Sequence, residues 1–394
     1  MTNHNSSIPF RIRKYLPVFF LFLFLFSTYP YVFNCFLGIP SETIVILVSF
    51  CVFLGLLFVS QKKKTLPLPI TFILCIQVFF WLFFSLYHQD TTYLTRVFYL
   101  TLTYIILCVL YCRNQISAFI SANNIIITIQ AVLGVVAFIL VFLNIWDAAF
   151  EFVNIDGRNS QNYILTCSNT YMGNFIRISG YFDEPGALAN WGVFALLFNK
   201  VFFNNRKIEV LLLLSLVFTF SAAYFVQAAL YLMCFGFEGK KAWVYMLFLL
   251  LLLFLIYDLI GSSEEFQYMT FDRFEGGSIR SDRVELAAIA KKYFLQSPIM
   301  GIGARHATEI AYMGDNQYEI LAKDGIVGFI VTYLPLCYIF LHYITIKKIV
   351  LSCVILSLGY FQRPFHIDGM HYLMLYIFFL MTFLSFSRNE RVSR

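Results

Sequence analysis

Charge is what this 394-residue chain has least of. Asp, Glu, Lys and Arg make up 13% of it, against about 25% in soluble domains, and 60% of the residues are hydrophobic. That scarcity excludes a soluble globular protein. The nine cysteines form no CxxC or Cys/His spacing, so neither a disulfide framework nor a metal site is indicated, and no cofactor motif is present. The spans carry almost no charge at their centres, the chain has no internal repeat and no low-complexity segment, and its +6 net charge gives no reason to expect nucleic acid as a partner.

What is there is a series of apolar runs, each long enough to cross a bilayer as a helix. They predict an all-α, polytopic membrane helical bundle of about twelve spans, near 15–37, 43–60, 68–87, 93–112, 122–145, 185–203, 207–221, 222–237, 242–260, 325–344, 349–362 and 370–386. The first run is too long for a signal peptide and lacks a small-x-small cleavage site, so it reads as an uncleaved span. Splitting 207–237 in two rests on the polar break at Thr219–Ala223 and on the basic Lys240/Lys241 that follows. Basic clusters at Arg11/Arg13/Lys14, Lys62–Lys64, Arg113, Arg206/Lys207, Lys347/Lys348 and Arg388/Arg391/Arg394 share one side if both termini are cytoplasmic. The short opposite loops, 38–42 and 88–92, contain no Lys or Arg, as the positive-inside rule requires. The whole chain, 1–394, therefore reads as a single integral membrane domain with extracytoplasmic loop inserts at 146–184 and 261–324.

These inserts break the topology rule, because the second carries Arg273, Arg280, Arg283, Lys291, Lys292, Arg305 and Lys323 on the outer side. Exported arginines fit an anionic substrate handled there. In the first insert, Arg177 precedes Asp183 and Glu184. Pro185 then suits the first position of a helix, whose positive end favours both carboxylates. In the second, Asp282 and Glu285 resemble a capping box, and Leu286, Ile289, Ala290, Tyr293 and Phe294 form an apolar stripe. The expectation is an amphipathic surface helix over 283–296 with Arg280 and Arg283 at its start, a favourable arrangement for pyrophosphate or for anionic headgroups. Lys291 and Lys292 suit headgroups. Asp315 and Asn316 fall near the mouth of the bundle, where Asp315 either acts as a general base or caps a short helix. His306 is a further base candidate or a solvated side chain. Arg363, Arg96 and Asp258 lie near outer helix ends, as cavity-lining or snorkelling residues, and Arg305 of the second insert is a further site candidate.

Three stretches carry a resemblance. Arg177-Ile-Ser-Gly-Tyr-Phe-Asp-Glu-Pro-Gly186, then Arg283 with Pro298 and Gly301-x-Gly303, then Asn316-x-Tyr318 with Gly325 and Gly328 resemble, in order, motifs of the O-antigen polymerase and O-antigen ligase superfamily. They cover about a quarter of the chain. Ligases usually carry His where this chain has Asp315, and Arg after a Thr-x-Ser turn where Thr219-Phe-Ser221 is followed by Ala222. Both departures favour a polymerase. The resemblance implies a GT-C-like, metal-independent glycosyltransferase in the bacterial cytoplasmic (inner) membrane. Its partners would be undecaprenyl pyrophosphate-linked glycans, the lipid bilayer and a chain-length regulator protein. It implies that Arg177, Arg280 and Arg283 address the pyrophosphate and that Asp315 or Glu184 is the base. The alternatives are a ligase transferring finished glycan to lipid A core and, in a different class, a flippase for lipid-linked oligosaccharide.

Overall fold

The computed structural model describes residues 65–153, 158–182, 184–236, 278–310, 313, 316, 318–362 and 370–392. The expected spans at 15–37, 43–60 and 242–260 lie outside these residues. So do Asp183, Asp258, Asp315, Arg363 and the side chains of Arg280 and Arg283.

Prolines stand at the start of the helices at Leu68 and Pro185, and the Asn205 side chain accepts from the Lys207 and Ile208 amides where the helix at Arg206 begins. The described helices are α1 (Leu68–Tyr87), α2 (Thr92–Cys112), α3 (Ile116–Phe142), α4 (Pro185–Phe198), α5 (Arg206–Ser215), α6 (Ala222–Phe235), α7 (Ser278–Gln296), α8 (Ala304–Ile310), α9 (Glu319–His342), α10 (Lys347–Gln362) and α11 (Met370–Val392). Five stretches are long and apolar enough to cross a membrane: α1, α2, α3, α9, and α4 with the π-helical turn Asn199–Phe203 that continues it. The protein is thus a helical membrane protein. Pro185 occupies the start of α4 and Glu184 its N-cap, as the sequence suggests. The break between α5 and α6 is also present. A 3₁₀ turn, Leu216–Thr219, ends α5, Phe220 turns through φ +45°, and α6 begins at Ala222.

Two expectations need correction. The 146–184 insert is not a plain loop, so the all-α reading needs amending. Strands β1 (Phe150–Val153), β2 (Asn159–Asn162) and β3 (Cys167–Ser168) form an antiparallel sheet in that order, and β4 (Tyr171–Met172) pairs with β5 (Phe175–Ile176). Gly173-Asn174 makes the two-residue hairpin turn, Gly173 supplying the positive φ such turns need. The second correction concerns α7. It runs from Ser278, which places Asp282 inside the helix and not at its N-cap position. The stripe itself does pack. Ala290 is buried with Ala307, Met313 and Ala322 in a small second core, flanked by Ile289, Tyr293 and Phe294, while Lys291 and Lys292 are exposed.

Aromatic packing fixes the insert to the bundle. Phe138 of α3 meets Phe175 edge-on (5.6 Å) and Phe218 (5.0 Å), and Phe175 meets Phe220 (5.1 Å). Inside the bundle, Pro335 cannot donate to the Val331 carbonyl, and the buried Gln77 amide of α1 does so instead (2.6 Å). Tyr372 donates to the next carbonyl, Thr332 (2.8 Å), and Tyr376 donates to Gln77 Oε1 (2.5 Å). A proline in a membrane helix is thus accommodated by polar groups of two neighbouring helices.

Candidate functional site

The turn Pro298–Gly303 is spliced into helix α9. In an unbroken helix the amides of Ile326 and Val327 would bond the carbonyls of Ala322 and Lys323. Instead they donate to Pro298 (2.9 Å) and Ile299 (3.1 Å), while the amides of Ile302 and Gly303 donate to Ala322 (2.9 Å) and Lys323 (2.9 Å). The turn thus satisfies the two amides and two carbonyls that the break separates. Gly325, at φ 67° and ψ −171°, makes the break. Gly301, at φ +71°, allows the contact, because a methyl group there would overlap the Lys323 carbonyl. The second and third motifs are therefore one structural unit, a clasp.

Helices α1 and α2 supply its floor. Tyr93 is the node: its hydroxyl accepts from the Ala304 amide (3.0 Å) and donates to Asp324 Oδ1 (2.9 Å). Arg96 donates to Asp324 Oδ2 (2.7 Å), and its guanidinium lies over the rings of Trp81 (4.4 Å) and Tyr93 (4.9 Å). The Arg96 side chain is only 10% exposed and that of Asp324 1%, so Arg96 does not snorkel. A pair this dry persists through its added hydrogen bonds and stacking, since desolvation opposes it.

Asp90, in the loop between α1 and α2, ties α8 to the same floor. Its carboxylate accepts from the Arg305 amide (2.7 Å), the Thr92 amide (2.8 Å) and the Thr92 hydroxyl (2.6 Å). Burial raises its pKa, but these hydrogen bonds and the Arg305 charge outweigh burial and hold it below the ordinary carboxylate value. A depressed folded pKa contributes stability above the unfolded-state value of about 3.9 that is lost as pH falls through the folded one. Thermal unfolding followed from pH 7 downward should therefore show a fall below about pH 4, and Asp90→Asn should flatten it.

Beside the clasp lies a cavity of about 170 Å³ lined by His88, Gln89, Asp90, Ile302, Gly303, Arg305, His306 and Glu309. Arg305 and His306, both expected in the site, do line it. Arg305 also pairs with Glu309 one turn on (2.9 Å) at the exposed surface. Asn316 is committed locally: its amide nitrogen donates to Met313 (2.6 Å) and its oxygen accepts from the Tyr318 amide (2.9 Å), shaping the turn into α9.

The first motif forms a second cluster. Arg177 is buried, its Nε donating to the Thr219 carbonyl (2.9 Å) and one Nη to the Phe220 carbonyl (3.0 Å), so it caps the 3₁₀ end of α5. Arg177→Ala should cost about 2–4 kcal/mol in detergent thermal unfolding, because two buried carbonyls lose a charged donor. Glu184 is bridged by both terminal nitrogens of Arg158 (3.3 Å each). Arg158 was not singled out in the sequence; it stands before a strand with no motif around it. With the guanidinium about half exposed, this pair contributes no more than ~1 kcal/mol to stability.

No family model, curated protein or solved structure matches this chain. The site's own chemistry must therefore carry the functional reading.

Proposed function

We propose that the protein polymerises undecaprenyl pyrophosphate-linked oligosaccharide repeat units at the outer face of a bacterial cytoplasmic membrane, as a GT-C-like, metal-independent glycosyltransferase with about twelve spans and both termini cytoplasmic. A hydroxyl of the acceptor repeat attacks the anomeric carbon of the donor chain, and the lipid pyrophosphate leaves. The observation that carries this reading is the clasp. Two sequence stretches that resemble the polymerase motifs, Pro298–Gly303 and the segment around Gly325, interlock backbone to backbone, and Arg305 sits where the clasp borders the cavity. The turn at Thr219–Ser221, after which the ligases usually carry an arginine, receives the guanidinium of Arg177.

Pyrophosphate departure develops negative charge that fixed guanidiniums stabilise electrostatically. Arg280 and Arg283 are assigned to it, with Asp315 and Glu184 as the base candidates that the resemblance implies; Arg177, buried against the Thr219 and Phe220 carbonyls, shapes that turn instead. The test is purified protein in proteoliposomes with a synthetic undecaprenyl pyrophosphate-linked repeat unit, read as a glycan ladder on a gel. A ladder from the wild type, reduced at least ~100-fold in Arg283→Ala, is the expected outcome. Transfer only when a lipid A core acceptor is supplied would make the protein a ligase. Lipid-linked glycan crossing the bilayer with no new glycosidic bond would make it a flippase.

A further inference from the structure

His88 stands at the end of α1 with its ring held on several sides. Its Nε2 lies 3.1 Å from the Met300 carbonyl, its face stacks on Tyr93 (5.7 Å between centroids, 23° between planes), and Tyr87 meets it edge-on (4.8 Å). A carbonyl oxygen can only accept, so Nε2 must carry a proton. In the neutral ring Nδ1 is then a bare lone pair. That atom faces Gly303, where a Cβ would come within 3.1 Å of it, so with glycine at 303 no side chain stands against Nδ1 from that position. The same two residues line the cavity beside the clasp. A fixed tautomer with an open acceptor on a cavity wall is the arrangement a general base requires.

We infer that His88, rather than Asp315 or Glu184, accepts the proton from the acceptor-sugar hydroxyl. This rests on the transferase reading above. The acceptor oxygen forms its bond to the donor anomeric carbon, and the bond from that carbon to the pyrophosphate oxygen breaks with its electron pair leaving on the lipid pyrophosphate. The hydroxyl proton passes to His88 Nδ1 and is afterwards released to water. The cavity is smaller than the roughly 300–1,000 Å³ of typical small-molecule sites, so it receives one ring of the acceptor and not a whole repeat unit. Among the described residues, Tyr87 and Tyr93 contact the His88 ring, and Asp90, Arg305, His306 and Glu309 are the titratable and charged groups that line the cavity with it. Glu184, by contrast, is engaged by Arg158.

The experiment compares wild type, His88→Ala and His88→Gln in proteoliposomes with the lipid-linked repeat unit, measuring initial rates across pH with and without added imidazole. Glutamine keeps an N–H for the Met300 carbonyl but has no basic nitrogen. Both variants should lose about 10²–10⁴-fold, and free imidazole should restore His88→Ala at least ~10-fold but leave His88→Gln unchanged. A His88→Gln rate within about twofold of wild type overturns the proposal, as does loss in His88→Ala that glutamine repairs and imidazole does not. Those results leave wild-type ladder synthesis, and so the transferase reading, intact. A wild type that forms no glycosidic bond removes that reading first and the base with it. A substrate-free readout accompanies these rates: diethylpyrocarbonate should modify His88 in the wild type, and a His88 that stays unmodified while His306 reacts overturns the open-Nδ1 geometry.

Discussion

Replacing Gly325 with alanine is expected to destabilise the protein by roughly 3–6 kcal/mol and to release the Pro298–Gly303 turn from α9. Two independent costs combine. Its φ of 67° with ψ of −171° belongs to a region essentially restricted to glycine. The added methyl group would also overlap the Ile299 carbonyl, and backbone, unlike a flexible side chain, has little room to give. Relief requires the turn to move away, which breaks the four backbone hydrogen bonds of the clasp and exposes the Tyr93–Ala304 contact. Gly301→Ala attacks the same interface from the other side, through the Lys323 carbonyl. The double variant should therefore cost much less than the sum of the two singles, since one clasp cannot be broken twice. Thermal unfolding in detergent measures the stability loss, and limited proteolysis should reveal new cleavage between 298 and 318. A Gly325→Ala protein that melts with the wild type and stays protease-resistant would refute the clasp as a stability element.

Asp324→Ala carries the second large effect, about 3–5 kcal/mol, because it leaves the Arg96 guanidinium buried without its counter-charge. Tyr93 loses its nearer acceptor in the same step and keeps only the 3.4 Å contact to the Lys323 carbonyl. The pair Arg96→Met with Asp324→Leu should recover most of that loss, as desolvation of both charges disappears along with their attraction. A double-mutant cycle thus separates a buried pair from two unrelated residues: the coupling should exceed ~2 kcal/mol, whereas additivity would mean that the 2.7 Å contact contributes nothing. Exchanging the two residues should not restore stability. Arg96 is held also by Trp81 and Tyr93, and an arginine at 324 would have neither ring beneath it.

Both predictions concern residues whose partners lie far away in sequence, and the same boundary separates what the chain announces from what it conceals. Apolar runs announce spans, because a bilayer demands about 20 residues of helix whatever surrounds them, and α1 spans Leu68–Tyr87 where 68–87 was expected. Pro185 announces the start of α4, and the polar stretch at 219–223 announces the break before α6, since each acts through its own backbone. Gly173-Asn174 announces a hairpin as well, a two-residue Gly-Asn turn between Tyr171-Met172 and Phe175-Ile176. The helix α7 shows where local signals mislead. Asp282 and Glu285 have capping-box spacing, yet packing of the Ala290 face against α9 accompanies a helix that starts at Ser278.

The candidate site was legible only as a set of residue types. Arg305 and His306 reach the cavity and Glu184 stands at the N-cap position of its helix, paired with Arg158, whereas Arg177 holds a helix end and Asn316 a turn. The sequence by itself determined a membrane-embedded helical bundle, the order of its described spans and the concentration of charge in two inserts, because those follow from local hydrophobicity and backbone preference. Only the tertiary structure decided that Arg96 meets Asp324 across 228 positions, that His88 faces Gly303, and that a glycine turn completes the hydrogen bonds of a broken helix. Such pairings satisfy buried polar groups, and which partner satisfies which is set by the packing of helices in three dimensions, a quantity that no local stretch of chain contains.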